Sequence, residues 1–335
     1  MTNLANERPD GLVDSFGRRI TYVRLSVTDR CDLRCRYCMA EHMQFLPKRD
    51  ILTLEEMVEL SEILIARGVR KIRLTGGEPL VRKGMMELVR SLGQRIGSGL
   101  DELVLTTNGT RLERFATELH DAGIRRINVS LDSRRPELFG HITRGGDLSQ
   151  VLRGIDAALT AGLAVKINMV ALAGINEDEI EGMLRWCAAM AMDLTLIETM
   201  PLGQVEEDRT DHYLPLDAVK HRLEERFTLV PSTKRTGGPA RYFDVVELRS
   251  RLGLITPLTN NFCEGCNRIR IAATGTVYGC LGHDQKVELR DALRSGGREE
   301  VDRLLDRLLA GKPRRHDFQI GGAPAVARHM SVTGG

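Results

Sequence analysis

Six of the seven cysteines in this chain fall into two triplets, Cys31-x3-Cys35-x2-Cys38 near the start and Cys263-x2-Cys266-x13-Cys280 near the end. A structural zinc site is closed by four protein ligands, whereas a [4Fe–4S] cluster held by three thiolates leaves one iron open to a further ligand. The close spacing within each triplet, in a long chain, suits reduced, metal-bound thiols better than a secreted disulfide framework. Cys187 stands apart, on a helical apolar stripe with Ile180, Met183, Leu184 and Ala191, and reads as a small hydrophobe. Cations are the second chemical signal. Arg24, Arg73 and Lys166 interrupt otherwise apolar runs, where a charge is costly unless it meets an anion or a strand-end carboxylate. Arg268 and Arg270 flank Ile269, so in an extended segment they share one face.

These residues need elements to position them. Short β-branched runs at Tyr22–Thr28, Lys71–Thr75, Glu102–Thr107, Arg126–Leu131, Ala164–Val170 and Asp193–Glu198 alternate with amphipathic helical stretches. One such helix opens at the capping box Thr53-x-x-Glu56, is expected to bury Leu54, Met57, Val58, Leu64 and Ile65, and stops at Gly68. Six βα units in succession imply an α/β fold with a parallel sheet and right-handed crossovers. Eight would close a full barrel, so the expectation is an open, partial (β/α)6 barrel of the TIM type. The first triplet directly follows the first strand, where such barrels place their active-site loops. After Met200-Pro201 the rhythm changes to a polar, acidic stretch, a helix near Leu216–Arg226, the Gly/Pro-rich Thr236–Ala240 and short strand-like runs. This predicts a smaller α+β region packed on the barrel, with a last helix over 285–309. The expected organisation is an arm (1–21), the barrel (22–202), the C-terminal region (203–320) and a flexible glycine-rich tail (321–335).

With 335 residues the chain suits one large barrel or two modest domains. A formal net charge of +2 gives no global field for nucleic acid or a membrane surface, so any anion site must be local. Lys166 interrupts even the apolar run Ala164–Ile175, and the polar start Met1–Pro9 lacks a signal-peptide core. A cytoplasmic protein without membrane or nucleic-acid partners is expected.

Cys31-Asp32-Leu33-Arg34-Cys35-Arg36-Tyr37-Cys38 resembles the signature of radical S-adenosylmethionine enzymes. The resemblance implies a [4Fe–4S] cluster whose open iron chelates S-adenosylmethionine and whose electron cleaves it to a 5′-deoxyadenosyl radical. It further implies that Tyr37 contacts the adenine and that the backbone of Thr75-Gly76-Gly77-Glu78-Pro79, Gly77 above all, receives the methionine ammonium. Ser130 and Met200 match further cofactor-contacting positions. The second triplet narrows the likeness. Phe262-Cys263-Glu264-Gly265-Cys266-Asn267-Arg268-Ile269-Arg270, Cys280, Asp14-x-x-Gly17-Arg18 and the terminal Gly334-Gly335 together resemble the GTP 3′,8-cyclase family of molybdenum cofactor biosynthesis. That resemblance implies a second [4Fe–4S] cluster on Cys263, Cys266 and Cys280 that binds the guanine of GTP. It implies GTP contacts from Arg24, Arg73, Thr106, Lys166, Arg268 and Arg270, with Arg268, Arg270, Gly334 and Gly335 in the catalytic set. Guanidinium forks suit a triphosphate because they grip its oxygens bidentately. The implied partners are an electron donor of flavodoxin or ferredoxin type, the downstream cyclic pyranopterin monophosphate synthase, and a second copy of the chain in a homodimer. A two-cluster enzyme that modifies a peptide is the alternative, and a zinc-binding or nucleic-acid-binding module a distant one. Three positions depart from the family pattern: Asp32 where Asn is commoner, Ala40 where Pro is usual, and Thr195 where Arg often stands.

Overall fold

The computed structural model of the chain describes residues 11–203, 211–259, 262–319 and 324–334. The six expected strands form: β1 Tyr22–Ser26, β2 Lys71–Thr75, β3 Glu102–Thr107, β4 Arg126–Ser130, β5 Ala164–Ala171 and β6 Asp193–Glu198. Helices α1 (Leu54–Ala66), α2 (Met85–Gly93) and α3 (Leu112–Asp121) follow β1, β2 and β3. Two helices, α4 (Pro136–Thr143) and α5 (Leu148–Thr160), follow β4, and α6 (Ile180–Ala189) follows β5. All five strand pairs from β1 to β6 are parallel and in sequence order.

Local chemistry sets the ends of α1. The Thr53 hydroxyl accepts from the Glu56 amide, the Glu56 carboxylate accepts from the Thr53 amide, and Gly68 takes φ +92° just past the last turn. Its inward face is Met57, Leu60, Ile63 and Leu64, while the expected Leu54, Val58 and Ile65 are only half-buried at its margins. Positions 57, 60 and 64 follow the i, i+3, i+7 spacing of a single stripe, which the sequence reading had drawn too wide.

Beyond β6 come α7 (Leu216–Glu224), β7 (Leu229–Pro231), β8 (Arg241–Val245), β9 (Ser250–Ile255), β10 (Arg268–Ile271), β11 (Thr276–Tyr278), β12 (Lys286–Glu288), α8 (Gly297–Ala310) and α9 (Met330–Thr333). This region does more than pack on the barrel. Strand β10 pairs in parallel with β1 and β9 with β6, so a twelve-stranded sheet runs in the order β12-β11-β10-β1-β2-β3-β4-β5-β6-β9-β8-β7. Both edges of the six-stranded unit are thereby capped, and their N–H and C=O groups have partners. The helix expected over 285–309 begins only at Gly297; its first part is β12 and a π-helical turn at Ala292–Gly296. Three residues with a single buried side chain, Val287, pair with β11 by a period of two that is too short to be read in sequence.

The parallel strands are two-faced. Val23, Leu25, Ile72, Leu74, Leu103, Leu105, Ile127, Val129, Val165, Ile167, Leu194 and Leu196 belong to the hydrophobic core. The alternate positions carry Tyr22, Arg24, Lys71, Arg73, Thr106, Asn128, Ser130, Lys166 and Asn168. Parallel strands covered on both faces are normally apolar throughout, so a polar face here belongs to a site.

Candidate active site

At the C-terminal end of the parallel strands, the loop bearing Cys31, Cys35 and Cys38 lies directly on the Gly76-Gly77 turn. Gly77 donates its amide to the Thr28 carbonyl at 2.9 Å and Glu78 donates to the Arg30 carbonyl at 2.8 Å. A Cβ on Gly77 would sit 2.3 Å from the Arg30 carbonyl oxygen, so only glycine permits this backbone-to-backbone seat. Below it, the Glu78 carboxylate accepts from the Leu80 amide at 3.0 Å, the Thr107 hydroxyl at 2.8 Å and the Asn108 amide at 2.6 Å. Burial outweighs these bonds and pushes its carboxyl up to about 7.

Other bonds fasten the loop sideways. Tyr37 donates its hydroxyl to Asp132 at 2.7 Å, and Asp132 accepts the Val170 amide at 2.8 Å, tying the loop to the ends of β4 and β5. Burial raises the Asp132 carboxyl to about 6. Asp32, the first departure from the family pattern, accepts from the Asn108 side chain at 2.7 Å, the Thr110 hydroxyl at 2.9 Å and Arg111 Nε at 3.3 Å. A carboxylate here has a cationic partner that an amide could not answer as well. Ser130 ends β4 and Met200 follows β6, both half-buried. Burial pushes the Cys31 thiol up to about 12 and Cys35 well above its usual range, with neighbouring carboxylates and thiols adding to the rise.

Inside the strands, the register sets Arg270, Arg24 and Arg73 side by side on β10, β1 and β2. Neighbouring strands are only about 4.8 Å apart. Arg73 donates from Nε to the Tyr22 hydroxyl at 2.6 Å and from Nη1 to Thr106 Oγ1 at 2.9 Å. Arg24 is lowered to about 10, by burial first and by Arg73 and Arg268 beside it; Arg270 falls well below its usual value for the same kind of reason. Lys166 Nζ donates to the Tyr242 hydroxyl at 3.0 Å, and burial, then Arg73 and Arg126, bring it down to about 7. Burial would raise the Tyr22 phenol, but Arg73, Arg24 and Lys71 outweigh it and hold it at about 7.

The N-terminal ends of the strands open on a cavity of about 410 Å³ lined by Tyr22, Lys71, Glu102, Arg126, Lys166 and Asp193 among others. Glu102 binds Lys71 at 2.7 Å and takes two bonds from Arg126, and these cations hold its carboxyl down to about 2 despite burial. Sequence reasoning missed Tyr22 and Lys71, which share the polar face with Arg24 and Arg73; the period of two along β1 and β2 was the available signal. Tyr242 was missed because its strand reaches the site only through β9. Thr195 is buried, its hydroxyl without a hydrogen-bond partner among the described residues, and pairs in register with Gly253.

The second triplet lies at this same end. Cys263 and Cys266 precede β10, which runs parallel to β1, and Cys280 follows the antiparallel β11. The two triplets therefore stand at opposite ends of β1, whose five residues span about 17 Å. Arg18, bonded to Asp14 at 2.6 Å, donates to the Cys263 carbonyl at 2.8 Å, and Lys312 Nζ lies 3.6 Å from Cys266 Sγ. Arg268 sits over the Phe262 ring at 5.3 Å. Burial works against the Cys266 thiolate, yet Arg268, Lys312 and Arg18 hold this thiol below its usual range. Arg270 donates to the Gly334 carbonyl at 2.5 Å, and the tail that carries Gly334 returns along Pro201–Gly203 before α9 packs against β1. A Cβ on Gly334 would meet the Thr75 side chain at 2.1 Å. Gly335 and the Gly321-Gly322 pair lie outside the described residues.

All seven cysteines are free thiols. Among the described residues no three His, Cys, Asp or Glu side chains gather around the position of a single ion. Each triplet nonetheless consists of near neighbours: Cys38 adds to the rise of the Cys31 and Cys35 thiols, and Cys280 and Cys266 to that of Cys263. Two donor sets of three sulfurs, with Cys187 buried in the core as the only other cysteine, could hold two clusters through three thiolates each.

Comparison with known proteins agrees with this geometry. The Radical SAM superfamily matches residues 25–187 and Molybdenum Cofactor Synthesis C matches residues 192–318. GTP 3′,8-cyclases of Sinorhizobium medicae (strain WSM419) and Rhizobium meliloti (strain 1021) are each 60% identical over 97% of this chain and 94% of their own length. That of Brucella ovis is 57% identical over 97% of this chain and 96% of its own. Among solved structures, Streptococcus suis SuiB bound to S-adenosylmethionine shares the fold with a TM-score of 0.58 at 13% identity, over 82% of this chain and 62% of that one. Native anSMEcpe with bound AdoMet does so at 0.55 and 15% identity, over 88% and 92%. The chain is a radical S-adenosylmethionine protein, and it belongs to the GTP 3′,8-cyclase family.

Proposed function

We propose that this chain cyclises GTP to (8S)-3′,8-cyclo-7,8-dihydroguanosine 5′-triphosphate, the first step of molybdenum cofactor biosynthesis. The carrying observation is the row Arg270–Arg24–Arg73, with Lys166 close to Arg73, set between two thiol triplets. Like charges held side by side repel, and a polyanion laid along them relieves that repulsion. Arg24, Arg73, Lys166, Arg268 and Arg270 bind the triphosphate, joined by the Thr106 hydroxyl. Cys31, Cys35 and Cys38 hold the first cluster, and the Gly76-Gly77 turn, Tyr37, Ser130 and Met200 seat S-adenosylmethionine. When bound, that pair supplies the 5′-deoxyadenosyl radical that removes the ribose C3′ hydrogen. Cys263, Cys266 and Cys280 hold a second cluster against the guanine, and Gly334 with Gly335 keeps Arg270 aimed at the substrate. The protein's share is position and the exclusion of water.

No helix among the described residues is long and apolar enough to cross a membrane. Free thiols throughout suit the cytoplasm, where a flavodoxin or ferredoxin donates the electron, cyclic pyranopterin monophosphate synthase consumes the product, and the chain works as a homodimer. The test is anaerobic reconstitution with iron and sulfide, then GTP, S-adenosylmethionine and dithionite, with mass analysis of the products. Equal amounts of 5′-deoxyadenosine and the cyclised nucleotide are expected; cofactor cleavage that GTP neither accelerates nor couples to a nucleotide product refutes the reading.

A further inference from the structure

Charges of both signs surround the first triplet: Glu78 is fully buried beneath the loop, Asp132 is bonded to Tyr37, Asp32 pairs with Arg111, and Arg34 donates to the Cys31 carbonyl. Around the second are cations that come from distant parts of the chain and grip the cysteine-bearing loops by their carbonyls. Arg18 donates to the Cys263 carbonyl at 2.8 Å, and Arg328 donates to the Cys280 carbonyl at 3.1 Å. Lys312, just past α8, donates to the carbonyls of Gly279 and, at 3.4 Å, Arg268.

Lys312 goes furthest. It is 3% exposed, and its Nζ stands 3.6 Å from Cys266 Sγ. Burying an ammonium is costly unless an opposite charge compensates it. Its other bonds among the described residues go to neutral carbonyls, which compensate only in part. Thiolates at Cys263, Cys266 and Cys280 would supply the missing negative charge, and Lys312 is already donating toward one of them.

We propose that Lys312 is a positioning residue for the second cluster: a fixed countercharge that bonds the Cys266 thiolate, ties the Cys266 and Cys280 loops together, and makes that cluster easier to reduce. This rests on the second-cluster reading given above. Reduction adds negative charge, so a buried ammonium and a hydrogen bond to a ligand sulfur favour the reduced state.

The experiment uses the full chain, reconstituted anaerobically, with Cys31, Cys35 and Cys38 replaced by Ala so that only the second cluster remains. Iron content and an electron paramagnetic resonance titration of the midpoint potential are read for Lys312, Lys312→Met and Lys312→Arg. The expected result is unchanged iron, a lower midpoint for Lys312→Met, and a midpoint restored toward wild type by Lys312→Arg. Equal midpoints in all three, with full iron, overturn the assignment. If Lys312→Met loses its cluster, retention of cluster and potential by Lys312→Arg supports the charge role, and loss in both shows a packing role and overturns it. A wild-type chain with iron for one cluster only removes the second-cluster reading itself, an outcome distinct from equal midpoints.

Discussion

Lys166 and Tyr22 titrate in one pH range and in the same sense. The ammonium is brought down to about 7 by burial and the nearby arginines, and the phenol is held at about 7 because those cations outweigh burial. An anion prefers the ammonium and the neutral phenol, which are the forms that dominate below pH 7. GTP affinity therefore falls as pH rises from 6 to 8, by at most about tenfold per unit for each group, and binding takes up protons. Calorimetry in buffers of different ionisation enthalpy measures both effects; Lys166→Met flattens the profile, and affinity rising with pH would refute the coupling. For folding the sign is reversed. The Lys166 pKa is depressed in the folded state, so the stability it contributes is present above its unfolded value and lost as pH falls through 7. Arg270→Ala removes charge-assisted contacts worth about 1.5–3 kcal/mol each, and calorimetry should show GTP binding weakened roughly tenfold or more. Gly77→Ala forces a Cβ to 2.3 Å from the Arg30 carbonyl; we expect a loss of about 1–3 kcal/mol in thermal unfolding together with loss of the first cluster, read as iron content. At this scale the cysteines were legible because three thiols at fixed short spacing have few other uses. For Tyr22 and Lys71 the one signal was the period of two that they share with Arg24 and Arg73; which neighbouring strands lie beside them no single strand tells.

Elements decide which side chains meet. The tail is the clearest case: Ala325 donates to the Pro201 carbonyl at 2.9 Å, Gly203 donates to the Val326 carbonyl at 2.9 Å, and α9 then delivers Gly334 to Arg270 and Thr75. Gly334 has φ +74°, where a side chain is strained even before it meets Thr75. Deletion of Gly334 and Gly335 should leave iron content and melting temperature unchanged while suppressing the cyclised product. Wild-type cyclisation by the truncated chain would show the tail to be dispensable. The glycine pair was visible in sequence, but a low-complexity tail carries no signal for where it docks. The capping box of α1, by contrast, was fully local and formed as read; Thr53→Ala should cost about 1 kcal/mol in denaturant unfolding. Strand β12 failed as a reading for the complementary reason, since its three residues gain strand character only from β11.

The whole molecule joins its two thiol triplets through one sheet. Strands β10 and β9 complete the edges of β1 and β6, so a chain ending at 202 would expose both as unpaired templates. Such a fragment should aggregate or sediment as oligomers rather than fold alone, and a monomeric fragment that bound a cluster and S-adenosylmethionine would contradict this. What the sequence by itself determined was local or repetitive: the alternation of six strands and helices, the capping box, the two thiol triplets, and the cations whose charge makes little sense in apolar strands without an anion. Each of these rests on spacing along the chain, which side-chain periodicity and covalent connection preserve. Only the tertiary structure decided what depends on register and closure. It set Arg270, Arg24 and Arg73 in one row, put the triplets at opposite ends of β1, gathered Arg18, Lys312 and Arg328 around the second, and brought Gly334 back to Thr75. Those pairings join residues separated by tens to hundreds of positions, and no short-range pattern encodes a contact whose energy exists only once both partners are buried together.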